Sequence, residues 1–334
     1  MVEGLKNIIK EKNPEILNQF LLYKLNNENL SSKTVKEYSY DLYNFLKSMY
    51  ILKKSYKELD NISEEDFEKI QINNLDIDFV KTISPLDIEY YISYLNMDKA
   101  YKATSRARQV ASIKSFFKYL NLTIKELSSN PALGIASPKL PKRIPQYLTL
   151  EEALRLLETV KNSDSKFASR DYCIITIFLN CGLRLSELIS INIKDIRMND
   201  TITITGKGNK QRTVYLNKAC LKALEEYIPS RNTQTNIKDK NALFLSERGT
   251  RISARAVEVL VKNYILRAGL DVDKITPHKL RHTAATLMYK YGNVDIRSLQ
   301  EVLGHESIKT TEIYTHIDNA QLKKAVESNP LSNI

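Results

Sequence analysis

A proline-rich stretch near the middle of the chain limits how this sequence can fold. Residues 130–148 read NPALGIASPKLPKRIPQYL and hold four of the nine prolines of the 334-residue chain. Proline interrupts helices and central strands, so no regular element is expected to run through this stretch. The sequence therefore predicts two domains, residues 1–130 and residues 149–334, joined by a linker at residues 131–148. Lys139, Lys142 and Arg143 make the linker basic, which suits either contact with a phosphate backbone or solubility alone.

The positive charge of the chain is concentrated after residue 130. Residues 1–130 hold 19 Lys+Arg against 18 Asp+Glu, whereas residues 131–334 hold 31 against 21. This asymmetry is typical of a protein that binds a polyanion through its second part, although a basic protein without such a partner would look the same. Three cysteines without a CxxC pair indicate neither a disulfide framework nor a zinc knuckle. Together with a start that lacks a long apolar core, this composition predicts a reducing, cytoplasmic location.

The first domain is predicted to be helical. Helices are expected to begin at Asn13-Pro14, Ser32, Ser84-Pro85 and Thr104, where capping residues precede apolar residues at helical spacing. Residues 53–83, acidic in the middle, are expected to form a solvated helix and loop. Residues 99–125 contain seven basic residues and no acidic one. Four of them share one face of the fourth helix and are predicted to contact DNA rather than to form an ordinary solvated face. They are Lys102, Arg106, Lys114 and Lys118.

The second domain is predicted to be mainly helical with a small β-sheet. Thr149 and Glu152 form a capping box, and a buried helix at residues 169–181 is expected to end at Gly182. Residues 201–216 alternate, turn at a basic GKGNK tip and alternate again, which predicts a β-hairpin. Further helices are expected after Ser253, from Thr276-Pro277 to about Gly292, and from Asp295 to Gly304. A short helix should carry Tyr314, and a last one should cover residues 319–327.

Several common routes to phosphoryl chemistry have no counterpart in the sequence. It contains no GxxxxGK[ST] phosphate loop, no HExxH and no carboxylate cluster suited to two magnesium ions. Neither a cofactor nor a metal is therefore expected. Any phosphoryl transfer would have to rely on side chains for charge stabilisation.

Suitable side chains occur in a fixed order. The order is Gly-Leu-Arg-x-Ser-Glu, the basic hairpin, Pro-His-x-x-Arg-His, Leu-Gly-His and Tyr-Thr-His. Each residue alone has a simpler explanation: an arginine in a surface ion pair, a solvated lysine, a packed tyrosine. His278 and His282 at i,i+4 could also bind a metal ion, but the sequence offers no third ligand at useful spacing. The candidate catalytic residues are Arg184, Lys207, His278, Arg281, His305 and Tyr314, with Glu187 in support.

This ordered set resembles the tyrosine recombinase (integrase) family over nearly the whole chain, and within it most resembles the Xer recombinases. The resemblance implies a helical DNA-clamping domain followed by an α/β catalytic domain. It implies that Tyr314 attacks the scissile phosphate to form a 3′-phosphotyrosyl link, while Arg184 and Arg281 bind the non-bridging oxygens. Lys207, at a hairpin tip that can enter the minor groove, would protonate the departing 5′-oxygen.

The resemblance also implies the remaining roles and the partners. His278 would act as general base or donate to phosphate, His305 would donate to a non-bridging oxygen, and Glu187 would support them. The substrate would be duplex DNA with inverted half-sites, bound on two duplexes by four subunits of one or two kinds. The last helix would dock on a neighbour or on its own domain. Chromosome dimer resolution with a septal DNA translocase is the favoured role. A mobile-element integrase or resolvase, or a DNA-binding protein that has lost catalysis, are the alternatives.

Overall fold

The computed structural model describes residues 9–55, 59, 62–97, 102–138, 146–206, 211–292, 294–304, 307 and 310–311. The chain divides into two compact units, Met1–Lys142 and Arg143–Ile334. Of the linker predicted at residues 131–148, Ala132 and Ile135 are buried in the core of the first unit and Leu148 in that of the second. Lys139, Lys142 and Arg143 lie outside the described residues. No helix among the described ranges is long and apolar enough to cross a membrane.

The first unit is helical, as predicted. Its α-helices are α1 (Glu15–Asn26), α2 (Ser32–Tyr50), α3 (Glu64–Lys69), α4 (Ile77–Lys81), α5 (Pro85–Met97) and α6 (Ala103–Lys118), and single π-helical turns, Ile51–Ser55 and Tyr119–Thr123, extend α2 and α6. Ser31 rather than Ser32 caps α2, because its side chain accepts from the Thr34 backbone N–H. Phe20, Phe116 and Phe117 are among the fully buried side chains at the centre of this unit.

The prediction that residues 53–83 form a solvated helix and loop is wrong in one respect. The acidic helix α3 has no buried residue, but Leu59, Ile72, Leu75 and Val80 are buried in the core of the first unit. Short helices separated by turns direct these apolar side chains inward while the acidic ones stay in solvent. The acidic residues therefore led to the wrong prediction for this segment. Its apolar residues are too irregularly spaced to form a single helical stripe in the sequence.

Helix α6 separates its basic residues between two environments. Arg108 donates from Nη1 to the buried Asp41 carboxylate at 2.8 Å and so connects α6 to α2. By contrast, Lys102 and Lys118 are exposed and Lys114 is half-buried, and none of these three forms an ion pair with an acidic side chain that the structure describes. Arg106 is half-buried. Contact between DNA and the face that carries these four residues stays a prediction.

The second unit surrounds a buried helix with further helices and a three-stranded antiparallel sheet. The elements are α7 (Leu150–Lys161), α8 (Ala168–Cys181), α9 (Leu185–Ser190), a 3₁₀ turn (Ile193–Asp195), β1 (Ile196–Arg197), β2 (Thr201–Thr205), β3 (Gln211–Tyr215), α10 (Lys218–Asn232), α11 (Ala254–Arg267), α12 (Pro277–Tyr291) and α13 (Ile296–Leu303). The capping box of Thr149 and Glu152 and the β2–β3 hairpin are confirmed. Strand β1 and helix α10 were not predicted. The expected helices around Tyr314 and at residues 319–327 lie outside the described residues.

Glycine ends two of these helices where the backbone turns left-handed. Gly182 (φ +60°) ends α8 and Gly304 (φ +64°) ends α13, both at the predicted positions. A Cβ on Gly182 would lie 2.9 Å from Leu303 Cδ2, so the bare backbone also allows α8 and α13 to approach each other. These two turns bring Arg184 close to the end of α13.

Candidate active site

Arg184 lies at the N-terminus of α9, two residues after the glycine that ends α8. Its backbone N–H donates to Glu187 Oε2 at 2.8 Å, and its Nη1 donates to Glu187 Oε1 at 2.7 Å. Its Nη2 donates to the Gly304 carbonyl oxygen at 2.9 Å. The Glu187 side chain is 2% exposed, whereas the Arg184 side chain remains 41% exposed. Arg184 is therefore anchored at one side and open to solvent at the other.

Arg281 is the deeper of the two predicted arginines. It lies on the second turn of α12, its residue is 3% exposed, and its Nη1 donates to the Gly182 carbonyl oxygen at 2.8 Å. Its Nη2 donates to the Leu303 carbonyl oxygen at 2.7 Å, and Nη1 lies 3.8 Å from Glu187 Oε2. The ends of α8 and α13 thus fix the Arg281 guanidinium from two directions. Arg184 and Glu187, distant from Arg281 in sequence, form one cluster with it.

His278 lies in the first turn of α12, on the same side of the helix as Arg281. Its Nε2 lies 3.0 Å from Nε2 of His282, so one ring donates this hydrogen bond and the other accepts it. Burial lowers the pKa of His278, and the positive charges of Arg281, Lys279 and Arg184 lower it further. His278 is therefore neutral at physiological pH and able to accept a proton. The described residues contain no group of three or more His, Cys, Asp or Glu that could hold a metal ion.

Arg212 joins the cluster without having been predicted. It lies on β3, where it pairs with Ile204 of β2, and its Nη1 and Nη2 donate to Glu187 Oε1 and Oε2 at 2.6 and 3.0 Å. The sequence did hold a weak signal for it. Arg212 lies two residues before Val214, the buried residue of β3, and so shares the inward face of that strand. An arginine on the inward face of a strand needs a buried partner, and Glu187 is that partner.

The arginines and histidines of this cluster line one cleft of about 1570 Å³ in the second unit. Its polar lining includes Arg184, Arg212, His278, Arg281 and His282. Lys207, His305 and Tyr314 lie outside the described residues. The lining includes Gly206, Gly304 and Thr310, which precede these three residues in the sequence by one, one and four positions. The structure thus brings together Arg184, Glu187, His278 and Arg281 of the predicted set.

Comparison with known proteins identifies the family of this chain. Residues 146–321 match the phage integrase family. The chain is 48% identical over 321 residues to tyrosine recombinase XerC of Caldanaerobacter subterraneus subsp. tengcongensis, covering 96% of this chain and 88% of that protein. It is 32% identical to tyrosine recombinase XerC of Natranaerobius thermophilus, over 91% of this chain and 94% of the relative.

Solved structures share the fold. The XerH site-specific recombinase bound to a palindromic difH substrate in a post-cleavage complex has a TM-score of 0.68, with 23% identity over 96% of this chain and 91% of that one. The Tn1549 transposon integrase in complex with circular intermediate DNA has a TM-score of 0.69, with 18% identity over 95% of this chain and 100% of that one. The chain therefore belongs to the phage integrase family and is a Xer-type site-specific tyrosine recombinase, an enzyme of DNA strand exchange.

Proposed function

We propose that this recombinase cleaves DNA by attack of the Tyr314 hydroxyl on a backbone phosphate. The observation that carries the proposal is the convergence of two anchored guanidinium groups, Arg184 and Arg281, with His278 in one cleft. The cleft lining reaches Thr310, four residues before Tyr314 in the sequence. A planar guanidinium can donate two hydrogen bonds to a phosphate and keeps its charge at every physiological pH.

Each step follows from the chemistry of these groups. The Tyr314 oxygen forms a bond to phosphorus, and the bond from phosphorus to the 5′-oxygen breaks, leaving a 3′-phosphotyrosyl link and a 5′-hydroxyl. His278 takes the tyrosyl proton or donates to the phosphate, and Lys207 gives a proton to the departing oxygen. Arg184, Arg281 and His305 stabilise the charge on the non-bridging oxygens. Attack by another 5′-hydroxyl reverses these steps and joins the strand to a new partner.

This scheme conserves the energy of the phosphodiester bond. The phosphotyrosyl link replaces one ester with another, so rejoining needs no nucleotide hydrolysis. Charge stabilisation by arginine and histidine takes the place that bound cations have in two-metal enzymes. We therefore propose that the chemical step depends on neither ATP nor a metal ion.

DNA binding is proposed to involve both units. Residues 1–130 would clamp the duplex through the basic face of α6, and residues 149–334 would carry the catalysis, with a basic linker between them. The face comprises Lys102, Arg106, Lys114 and Lys118, and the linker contributes Lys139, Lys142 and Arg143. The exposed Lys102 and Lys118 support this assignment, since exposed lysines attract phosphate.

We further propose a role in resolving chromosome dimers. Its support is the XerC name of relatives that are 48% and 32% identical over most of the chain. The Tn1549 integrase shares only 18% identity, a likeness of fold that does not favour a mobile-element role. Four subunits would bind two duplexes at inverted half-sites, in the cytoplasm, where the chromosome lies, and a septal DNA translocase is the proposed partner.

A nicked substrate tests the proposed chemistry. Native chromosomal DNA near the replication terminus is first footprinted to locate the bound site, and that site is then nicked next to the scissile phosphate. Loss of the short 5′-hydroxyl fragment should trap a covalent protein–DNA species that survives a denaturing gel, with or without EDTA. The absence of that species would refute the proposal, and strict dependence of the covalent step on magnesium would refute metal independence.

The pH dependence of cleavage should report the lowered pKa of His278. The neutral ring is the form that can accept a proton. The second-order cleavage constant at low DNA concentration should therefore stay constant as the pH falls to 6.5, the usual pKa of histidine, and should decline only below that pH. The measurement is the initial rate of covalent-complex formation over the pH range on both sides of that value. His278→Gln should remove this decline. A decline in the cleavage constant centred at or above the usual pKa of histidine would contradict the role proposed for His278.

Gly304→Ala should damage the site more than the backbone strain alone explains. A Cβ at Gly304 would lie 2.9 Å from Arg212 Nη1 and 3.0 Å from its Cδ and Cζ. Gly269 is a matched control, because it has nearly the same φ (+66° against +64°) but a Cβ placed there would meet no atom of the described residues within 4 Å. Both variants should lose about 1 kcal/mol of stability from the left-handed backbone.

The two variants should differ in catalysis. Gly304→Ala displaces Arg212 and disturbs the carbonyl that holds Arg184, so cleavage should slow by at least about tenfold, whereas Gly269→Ala should cleave normally. Thermal unfolding and single-turnover cleavage of the nicked site measure the two effects separately. Equal cleavage rates for the two variants would show that the Gly304 contact does not matter to the site.

A further inference from the structure

Glu187 is an anion placed among three cations. Its side chain is 2% exposed, and guanidinium groups of Arg184, Arg212 and Arg281 lie 2.7, 2.6 and 3.8 Å from its oxygens. Burial alone would raise the pKa of Glu187, but hydrogen bonds from the Arg212 side chain and the Arg184 backbone, the charge of Arg212 and a hydrogen bond from the Arg184 side chain hold it below its usual value. The lowered pKa favours the ionised carboxylate of Glu187 at neutral pH.

A buried carboxylate beside a phosphate-binding arginine creates a competition. Every hydrogen bond that Arg184 gives to Glu187 is one that it cannot give to DNA, and the negative charge partly cancels its own. In the structure, Arg184 commits Nη1 to Glu187 and Nη2 to the Gly304 carbonyl, and its side chain is still 41% exposed. Because only one of its two amino groups contacts Glu187, another group must donate the remaining side-chain hydrogen bonds to the carboxylate.

Arg212 satisfies it. The two Nη groups of Arg212 meet the two carboxylate oxygens in parallel, at 2.6 and 3.0 Å, which is the bidentate geometry of a strong arginine–carboxylate pair. Its side chain is 17% exposed, much less than that of Arg184. Two features hold it there: strand β3, paired to β2 at Ile204, and the absence of a side chain on Gly304.

We propose that Arg212 is a positioning residue that serves as the counter-ion of Glu187 and thereby keeps the charge of Arg184 available to the scissile phosphate. This inference rests on the proposed function. Without Arg212, the buried carboxylate would be left with Arg184 as its nearest cation, and an unpaired buried charge is costly enough to draw that side chain inward. Arg184 would then form the bidentate pair itself, and the phosphate would lose a charged donor in the transition state.

The proposal makes an unusual prediction about a second substitution. If Arg212 acts by neutralising Glu187, then removing the negative charge should make Arg212 less necessary. Glu187→Gln is suited to this purpose, because glutamine at the third position of a helix can still accept from the backbone N–H of Arg184. A residue that acted on the phosphate directly would show no such rescue, and thermal unfolding of each variant separates a recovery of catalysis from a recovery of stability.

The experiment compares single-turnover cleavage of the nicked site, at saturating DNA, by the wild type, Arg212→Gln and Arg212→Gln/Glu187→Gln. Arg212→Gln should cleave at least about tenfold more slowly with DNA affinity within about twofold of the wild type. The double variant should recover most of that loss. Arg170→Gln is the matched control, because Arg170 also pairs with a buried carboxylate, Asp171, but is not among the described residues that line the cleft, and it should cleave normally when folded.

Two results would overturn the proposal: wild-type cleavage by Arg212→Gln, or a double variant as slow as the single one. If Arg212→Gln does not fold, Arg212→Lys replaces it, since one ammonium can meet one carboxylate oxygen. That variant should be slowed less and rescued by Glu187→Gln, and the absence of rescue would again overturn the proposal. A wild type that forms no covalent complex would instead refute the proposed function, so the two failures are distinguishable.

Discussion

Tyr314→Phe is expected to abolish the covalent protein–DNA complex while leaving DNA binding intact. The substitution removes one oxygen, which is the atom proposed to attack phosphorus, and keeps the aromatic ring. Loss of a nucleophile typically lowers the rate by about 10⁴-fold or more, so no covalent band should be seen on the nicked site. A mobility-shift titration under the same conditions should give the wild-type affinity. A band that persists in this variant would show that another residue is the nucleophile.

The control for this prediction is another tyrosine of the same unit. Tyr215 lies on β3 and is 78% exposed, and nothing in the proposed mechanism uses its hydroxyl. Tyr215→Phe should form the covalent complex at the wild-type rate. The 19 tyrosines of the chain make such a control necessary, since a phenol that reacts without a nearby pair of guanidinium groups would contradict the mechanism.

The same variant can show whether Tyr314 acts in its own subunit or in a neighbour's. Tyr314→Phe has the cationic cleft but no nucleophile, and Arg281→Lys has the nucleophile but a damaged cleft. If each tyrosine enters the cleft of a neighbouring subunit, a mixture of the two variants should form covalent complex much faster than Arg281→Lys alone. If it acts within its own subunit, the mixture should be no faster than Arg281→Lys alone.

The features that the sequence predicted correctly are those set by short-range rules. Thr149 caps α7, Gly182 ends α8, and the α13 helix runs from the cap at Asp295 to Gly304, because each signal lies within a few residues of the helix end it controls. The order of the candidate residues along the chain is read directly from the sequence, and their catalytic roles stay predictions. The mutual approach of Arg184 and Arg281 was then an expectation from the family resemblance alone.

The features that were missed depend mostly on contacts between distant residues. Arg212 meets Glu187 because β3 folds back beside α9, and strand alternation shows at most that Arg212 faces inward, not which acid it meets. Residues 53–83 contain both acidic and apolar residues, and the acidic residues led to the prediction of a solvated segment. Helix α10 was a different kind of omission: its buried residues stand at helical spacing, so its signal was present in the sequence. They include Cys220, Ala223, Leu224 and Tyr227.

Arg281→Lys is expected to slow cleavage by about 100- to 1000-fold, the range seen when a preorganised transition-state donor is removed. The substitution keeps the charge, so a purely electrostatic role would predict a mild effect. Geometry predicts a severe one: the guanidinium meets the Gly182 and Leu303 carbonyl oxygens at 2.8 and 2.7 Å from two directions, and a single ammonium cannot reproduce that fork. The cleft would then keep a positive charge but lose the fixed orientation of its donors.

Loss of stability must be separated from loss of catalysis in this test, because a buried carbonyl left without a donor costs about 1–3 kcal/mol. Arg231 provides the matched control. It is 4% exposed and donates from Nε and Nη2 to the Ala242 carbonyl oxygen at 3.0 and 2.8 Å, but it does not line the cleft. Arg231→Lys should lower the melting temperature comparably and still cleave at the wild-type rate when folded. If both lysine variants cleave normally below their melting temperatures, the fork of Arg281 is structural, and the cleft must stabilise the transition state through other groups.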